Sequence, residues 1–275
     1  MLNIKIIRNE QMSSVLVEKK DGVAWLILNR PEKLNVVGST MPADLLCCTE
    51  ELKNDESIKC VIVTGAGDHF MAGGDIDYFK SLVDAYAIEG ESALPGDMFD
   101  NLHQAILNLV MMEKPVIACV KGAVAGFGLS LMLACDMVVA ADNSVFSVAY
   151  CKIGTTPDGG MSYFLPRAVG QKRALELSLT GQRFSAEQAE RWGMVNRVVA
   201  VELLETESMT LAESLCKGPK DVLARTKRLF NQTYETSLKD RLNEEADNFF
   251  LSMLKEDFVE GVTSFCEKRP AIFKE

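Results

Sequence analysis

An α/β fold is what this 275-residue sequence predicts, and three observations carry the prediction. Runs of branched apolar residues, KCVIVTG (59–65), KPVIACVKG (114–122) and CDMVVAA (135–141), read as buried strands. Segments with apolar residues at helical spacing separate such runs up to about residue 200. From residue 203 to 268 the periodicity is helical throughout. The chain is therefore expected to have an α/β core over 13–202 and a helical region over 203–275. A helical appendage of about 70 residues is too small to be stable alone. It should pack on the core or on a neighbouring subunit.

Each element follows from local pattern. SVLVEKKDGVAWLILNRP (14–31) reads as two strands around a Lys-Asp-Gly turn. Residues 42–53 have helical spacing, with Leu45, Leu46 and Leu52 on one stripe. After the 59–65 strand and a glycine-rich turn, a helix restarts over 76–82. VDAYAIEGESALPGD (83–97) lacks clean periodicity and contains glycine and proline. It is expected to be a mobile surface loop beside the site. Residues 98–112 return to helical spacing, and the helix-like GFGLSLMLA (126–134) lies between two strands.

Composition narrows the function. With 48% hydrophobic and 25% charged residues, the chain reads as a globular protein with ample core. A net charge of −10, with Lys and Arg dispersed, argues against a nucleic-acid partner, which would leave a basic stripe. An anionic small ligand stays open, because one or two local cations suffice. The eight cysteines lack metal-ligand spacing and the only histidines are His69 and His103, so no metal site is expected. Most of the thiols sit in apolar surroundings and read as reduced core residues. The longest apolar run, near 129–141, is broken by Asp136, so no membrane span is expected. No positively charged leader followed by an apolar stretch opens the chain, which predicts a cytoplasmic location.

Three glycine-rich turns carry the chemistry. In HFMAGGDIDYF (69–79) a strand ends and Asp75 opens a helix; free backbone N–H groups at such a corner bind negative charge. The same segment serves equally as a plain connection with Asp75 as N-cap. In KGAVAGFGLSLMLACD (121–136), Gly126 and Gly128 frame Phe127 where a strand meets a helix. Close helix-on-sheet packing accounts for these glycines equally well, and no G-x-G-x-x-G fingerprint is present. In CKIGTTPDGGMSYFLP (151–166), Asp158 stands between a proline and two glycines, the composition of an ordinary type I turn. Together, two anion-binding corners and one carboxylate are the parts needed to remove a proton beside a carbonyl.

The order of LNRPEKLN (28–35), VIVTGAGDHFMAGGDI (61–76), KPVIACVKGAVAGFGLSLMLACDMVVAADNSVFS (114–147), IGTTPDGGMSYFLPRAVG (153–170) and EGVTSFCEKRPAIF (260–273) resembles the crotonase superfamily of enoyl-CoA hydratases and isomerases. The resemblance covers nearly the whole chain. It implies a crotonase (ClpP-like) spiral of β-β-α units with C-terminal helices that trimerise, and a homotrimer or a hexamer of two trimers. It implies an acyl-CoA thioester as substrate, with coenzyme A entering only as part of that substrate and no separate cofactor. The thioester oxygen would lie between the N–H groups of Ala72 and Phe127, the latter following Gly126. Lys33 and Leu34 would flank the pantetheine and phosphates of CoA. Phe70, Ala72, Gly74, Asp75 and Ile76 would form the wall that bends the ligand. Phe265 and Lys268 would close the CoA pocket, often across a subunit boundary.

Two departures bear on the reaction. Hydratases of this family orient a water with two glutamates, and those positions here hold Ser130 and Tyr150. Neither is a good base near neutral pH. Moving a double bond needs one base, and Asp158 matches the position where isomerase branches carry theirs. Ile153, Met161, Tyr163 and Phe164 would give it an apolar setting that strengthens it as a base. Tyr150 would line the acyl pocket or hold a carboxylate in orientation, or is a core tyrosine with a satisfied hydroxyl. His103 reads as a structural residue. The alternatives are a hydratase using Asp158 with a different water network, a dehalogenase using it as nucleophile, and a non-catalytic acyl-CoA-binding homologue.

Overall fold

A computed structural model describes residues 13–274; the stretch on which the absence of a leader is read falls largely outside that range. Strands β1 (Val15–Lys20) and β2 (Val23–Leu28) form a hairpin, its turn made possible by Asp21 and Gly22 at φ 50° and 80°. Helix α1 (Met41–Asn54) follows, burying Leu45 and Leu52 and half-burying Leu46. Next come β3 (Cys60–Gly65), α2 (Ile76–Glu89) and α3 (Met98–Met111). Then β4 (Val116–Val120), β5 (Ala123–Ala125), α4 (Phe127–Leu133), β6 (Met137–Ala141) and β7 (Val145–Ser147) bring the chain to the Asp158 turn. Beyond it lie α5 (Met161–Val169), α6 (Gln171–Thr180), β8 (Arg183–Ser185), α7 (Ala186–Arg191) and β9 (Arg197–Val199).

Two sheets result, one of six strands in the order β1-β2-β3-β4-β6-β9 and one of three in the order β5-β7-β8. From β2 onward the large sheet is parallel, which demands cover on both faces. Alternation along β3 and β4 splits their side chains accordingly. Val61, Val63, Ala118 and Val120 enter the main core. Cys60, Ile62, Ile117 and Cys119 face a second cluster closed by Leu204 and Ala212 of α8 (Leu204–Cys216). Helices α9 (Lys220–Asn231), α10 (Leu238–Met253) and α11 (Glu256–Glu267) complete the described chain.

The segment expected as a loop over 83–97 is not one. Helix α2 runs on to Glu89 and a short 3-10 turn covers Gly90–Ala93. No residue of α2 is buried, so core packing stamps no periodicity on its sequence, while alanines favour the helix. Cys60, Cys119 and Cys135 are buried free thiols, whereas Cys151 and Cys266 are exposed. Among the described residues no His/Cys/Asp/Glu group could hold a metal ion, and no helix is long and apolar enough to cross a membrane.

Candidate active site

The first two glycine turns are pressed together by strand-like pairing. The Phe70 N–H donates to the Lys121 carbonyl at 2.8 Å, Met71 N–H to Ala123 at 3.1 Å, and Ala125 N–H to Met71 at 2.9 Å. Gly73 and Gly126 then take φ of 99° and 51°. A Cβ on Gly126 would lie 3.4 Å from Cα of Gly73. Glycine is needed here for both the backbone conformation and the approach.

A cavity of about 660 Å³ opens beside these turns. Ala72, Gly74, Ile76, Gly126, Phe127, Tyr150 and Asp158 all line it, so the fold brings together parts that lie far apart in sequence. Most of its wall is apolar: Phe79 and Val83 come from α2, Met98, Phe99 and Leu102 from α3. Val83 is the sole contribution of the 83–97 segment. Thr155 and Thr156 add hydroxyls beside the acid.

The amide expected from Ala72 is already committed. Its N–H donates to the Leu34 carbonyl at 3.1 Å, so it cannot also serve a ligand oxygen at full strength. Two residues on, the ladder with Val37 uses the Gly73 carbonyl and the Asp75 N–H, both at 2.8 Å. Backbone groups alternate along an extended strand, so those of Gly74 face away from Val37. Among the described residues the Gly74 N–H has no hydrogen-bond partner, and neither has that of Phe127, the first residue of α4.

Several other expected ligand residues sit elsewhere. Phe70 is fully buried in the core and forms no cavity wall. Asp75 is buried as the N-cap of α2, accepting from the Tyr78 N–H and pairing with Arg30 at 3.0 Å and Lys33 at 3.4 Å. Burial works against its charge, yet Arg30, the Tyr78 N–H and Lys33 outweigh that and hold its carboxyl below the usual value. Lys33 also reaches Asp77 at 3.1 Å, so its charge is partly offset. Leu34 is exposed in the left-handed region, φ 53°, and neither it nor Lys33 lines the cavity. Phe265 lies on α11 in a separate cavity between the C-terminal helices, and Lys268 is the C-cap of α11. Within one chain neither reaches the 660 Å³ cavity.

Asp158 is half-buried and faces the cavity from its turn. Of its expected apolar neighbours, only Ile153 shares that cavity. Met161 is in the core, and Tyr163 and Phe164 line a different cavity against α9 together with His103. Gly160, at φ 80°, starts α5 in a direction that turns those rings away from the carboxyl. What surrounds Asp158 instead is polar. The Tyr150 hydroxyl donates to Oδ1 of Asp158, and Ser130 Oγ donates to its carbonyl at 2.8 Å. Ser130 and Tyr150 are themselves 3.1 Å apart. Burial first, then the negative charge of Asp158, push the Tyr150 phenol well above its ordinary value, which keeps it a neutral donor.

Sequence reasoning overlooked Asn35. Fully buried at φ 55°, it accepts from the Arg30 N–H and donates to the carbonyls of Ala66 and His69. It thereby locks the loop whose Leu34 carbonyl engages Ala72. An asparagine beside a tight turn was the available signal.

Comparison with known proteins agrees with this architecture. The family model "Enoyl-CoA hydratase/isomerase" matches residues 18–275. The 1,2-epoxyphenylacetyl-CoA isomerase of Escherichia coli K12 is 36% identical over 95% of this chain and 98% of its own. A probable mitochondrial enoyl-CoA hydratase of Dictyostelium discoideum is 32% identical over 94% and 90%. The crystal structure of an enoyl-CoA hydratase from Polaromonas sp. JS666 superposes with a TM-score of 0.87 at 32% identity, covering 94% of this chain and 99% of that one. A crotonase fold, a family match over nearly its full length and relatives of both activities lead to one conclusion: this chain belongs to the enoyl-CoA hydratase/isomerase family.

Proposed function

We propose that the protein shifts a double bond in an enoyl-CoA thioester. Asp158 takes a proton from C2 of a 3-enoyl thioester, electrons move onto the thioester oxygen, and the proton returns at C4. The N–H groups of Gly74 and Phe127 hold that oxygen. Loss of one such donor costs about 2.7–4 kcal/mol of transition-state stabilisation, so a pair carries a large share of the rate. The observation behind the reading is that the cavity holds one carboxylate beside two unpartnered amides. Both positions that hold glutamates in hydratases are filled by hydroxyls that bond to that carboxylate's residue. Lys33 and Leu34 border the entry for the CoA portion, and Phe265 and Lys268 of a neighbouring subunit in a trimer or hexamer close it.

Incubation with a 3-enoyl-CoA should raise the absorbance of the conjugated 2-enoyl product. Asp158→Asn should abolish that signal while CoA-ligand affinity stays near wild type. Unchanged turnover in the variant would remove the single-base mechanism. Hydration of a 2-enoyl-CoA is the competing reading, favoured by the names of several relatives; loss of absorbance from a conjugated substrate would identify it.

A further inference from the structure

We infer that Tyr150 is a positioning residue that fixes which oxygen of Asp158 carries the proton. This rests on the proposed proton transfer and names how its base is aimed. Four contacts meet at the acid: Tyr150 Oη with Oδ1, Tyr150 Oη with the Asp158 carbonyl at a long 3.4 Å, Ser130 Oγ with that carbonyl at 2.8 Å, and Ser130 Oγ with Tyr150 Oη at 3.1 Å. Each hydroxyl owns one proton. The carboxylate is the strongest acceptor present, so the Tyr150 proton goes to Oδ1. The Ser130 proton is then divided between the Asp158 carbonyl and the lone pair of Tyr150. Oδ1 is thereby occupied, and Oδ2, which has no hydrogen-bond partner among the described residues, is the oxygen left for substrate.

The surroundings make this arrangement rigid. Ser130 is fully buried and Tyr150 nearly so. A Cβ on Gly159, at φ 59°, would come within 2.8 Å of the Phe127 ring and 3.0 Å of Ser130 Cβ, so the turn bearing the acid lies directly on the start of α4. The Tyr150 ring itself lines the cavity. Lys80 is the other ionisable side chain in the wall, and it pairs with Asp84. Tyr150 therefore holds the carboxylate and Ser130 the main-chain carbonyl of the same residue, and one carboxylate oxygen serves both C2 and C4.

Tyr150→Phe keeps the ring and removes the donor. It should lower kcat for 3-enoyl-CoA isomerisation by about 10- to 100-fold, the scale of one hydrogen bond to a charged group. KM should stay within about twofold, and the thermal midpoint near wild type. Exchange of the C2 hydrogens of a saturated acyl-CoA with deuterated water, followed by proton NMR, should fall by the same factor. Ser130→Ala should give a smaller loss of kcat in the same direction, and serves if the first variant does not fold. An unchanged kcat and exchange rate, or a loss that appears equally in KM, would overturn the positioning role. Wild-type protein that exchanges C2 hydrogens without isomerising would defeat the isomerase reading and leave the exchange comparison as the test of Tyr150. Absence of both exchange and isomerisation in the wild type would defeat both readings.

Discussion

A methyl group on Gly74 would sit 2.4 Å from Cε2 and 2.5 Å from Cζ of Phe79. That proximity ties an amide proposed to hold the thioester oxygen to a ring of the cavity wall. Gly74→Ala should push the ring aside and rotate the N–H, cutting kcat by about 100-fold, the lower end of the loss of one oxyanion donor. Adding Phe79→Ala should restore part of it, as read by steady-state isomerisation kinetics of the single and double variants. At this scale the sequence was informative where chemistry is local. The acid in PDGG and the amide of Phe127 stand out because glycine and proline announce a turn. The commitment of Ala72 to Leu34 was not legible, because the partner is a main-chain carbonyl in another loop and carbonyls carry no residue code. Burial of Phe70 was hidden for a related reason: whether a ring beside a turn faces ligand or core depends on the strand it pairs with, here through Lys121.

Among the elements, strands were the easiest to read, since β3 and β4 are buried on both faces and show unbroken apolar runs. Helix α2 was the hardest, because a helix without buried residues displays no stripe. The direction of α5 was equally opaque: the left-handed Gly160 sends Tyr163 and Phe164 to a neighbouring cavity. One ionic contact between elements gives a pH prediction. Lys19 of β1 binds Glu51 and Asp55 at the end of α1, at 2.6 and 2.8 Å. Its hydrogen bond is the chief reason the Asp55 carboxyl falls from 3.8 to about 2. A lowered carboxylate stabilises the fold above its unfolded value and loses that contribution as pH falls through the folded one. Lys19→Met should therefore lower the thermal midpoint above pH 4 and flatten its decline between about pH 4 and 2. Parallel curves for variant and wild type would remove the contact from the acid response.

Across the whole molecule the fold was legible to a large degree, as order of motifs and a switch from mixed to purely helical pattern. The assembly is where exposure speaks. Phe230, Leu254 and Phe265 are 75%, 83% and 85% exposed, and Tyr234, Leu238 and Phe250 accompany them on or beside α9–α11. Apolar surface on this scale marks an interaction face, in keeping with the proposed trimer or hexamer. Sedimentation velocity should give a species three or six times the chain's 30.3 kDa. Phe250→Asp with Phe265→Asp should shift it toward monomer and weaken CoA-ligand binding together. A monomeric wild type would refute the assembly.

The contact of Gly159 with Phe127 and Ser130 has a consequence for how such a protein can diversify. The ring is the spacer between acid and amide, so a substitution that resizes Phe127 shifts the Asp158 turn against the amide and spoils their mutual aim. On the opposite wall, the α2 side chains are at most half-buried, and exposed Val83 in particular is free to vary. New acyl preferences would arise by redrawing that wall while the proton-handling block is inherited unchanged.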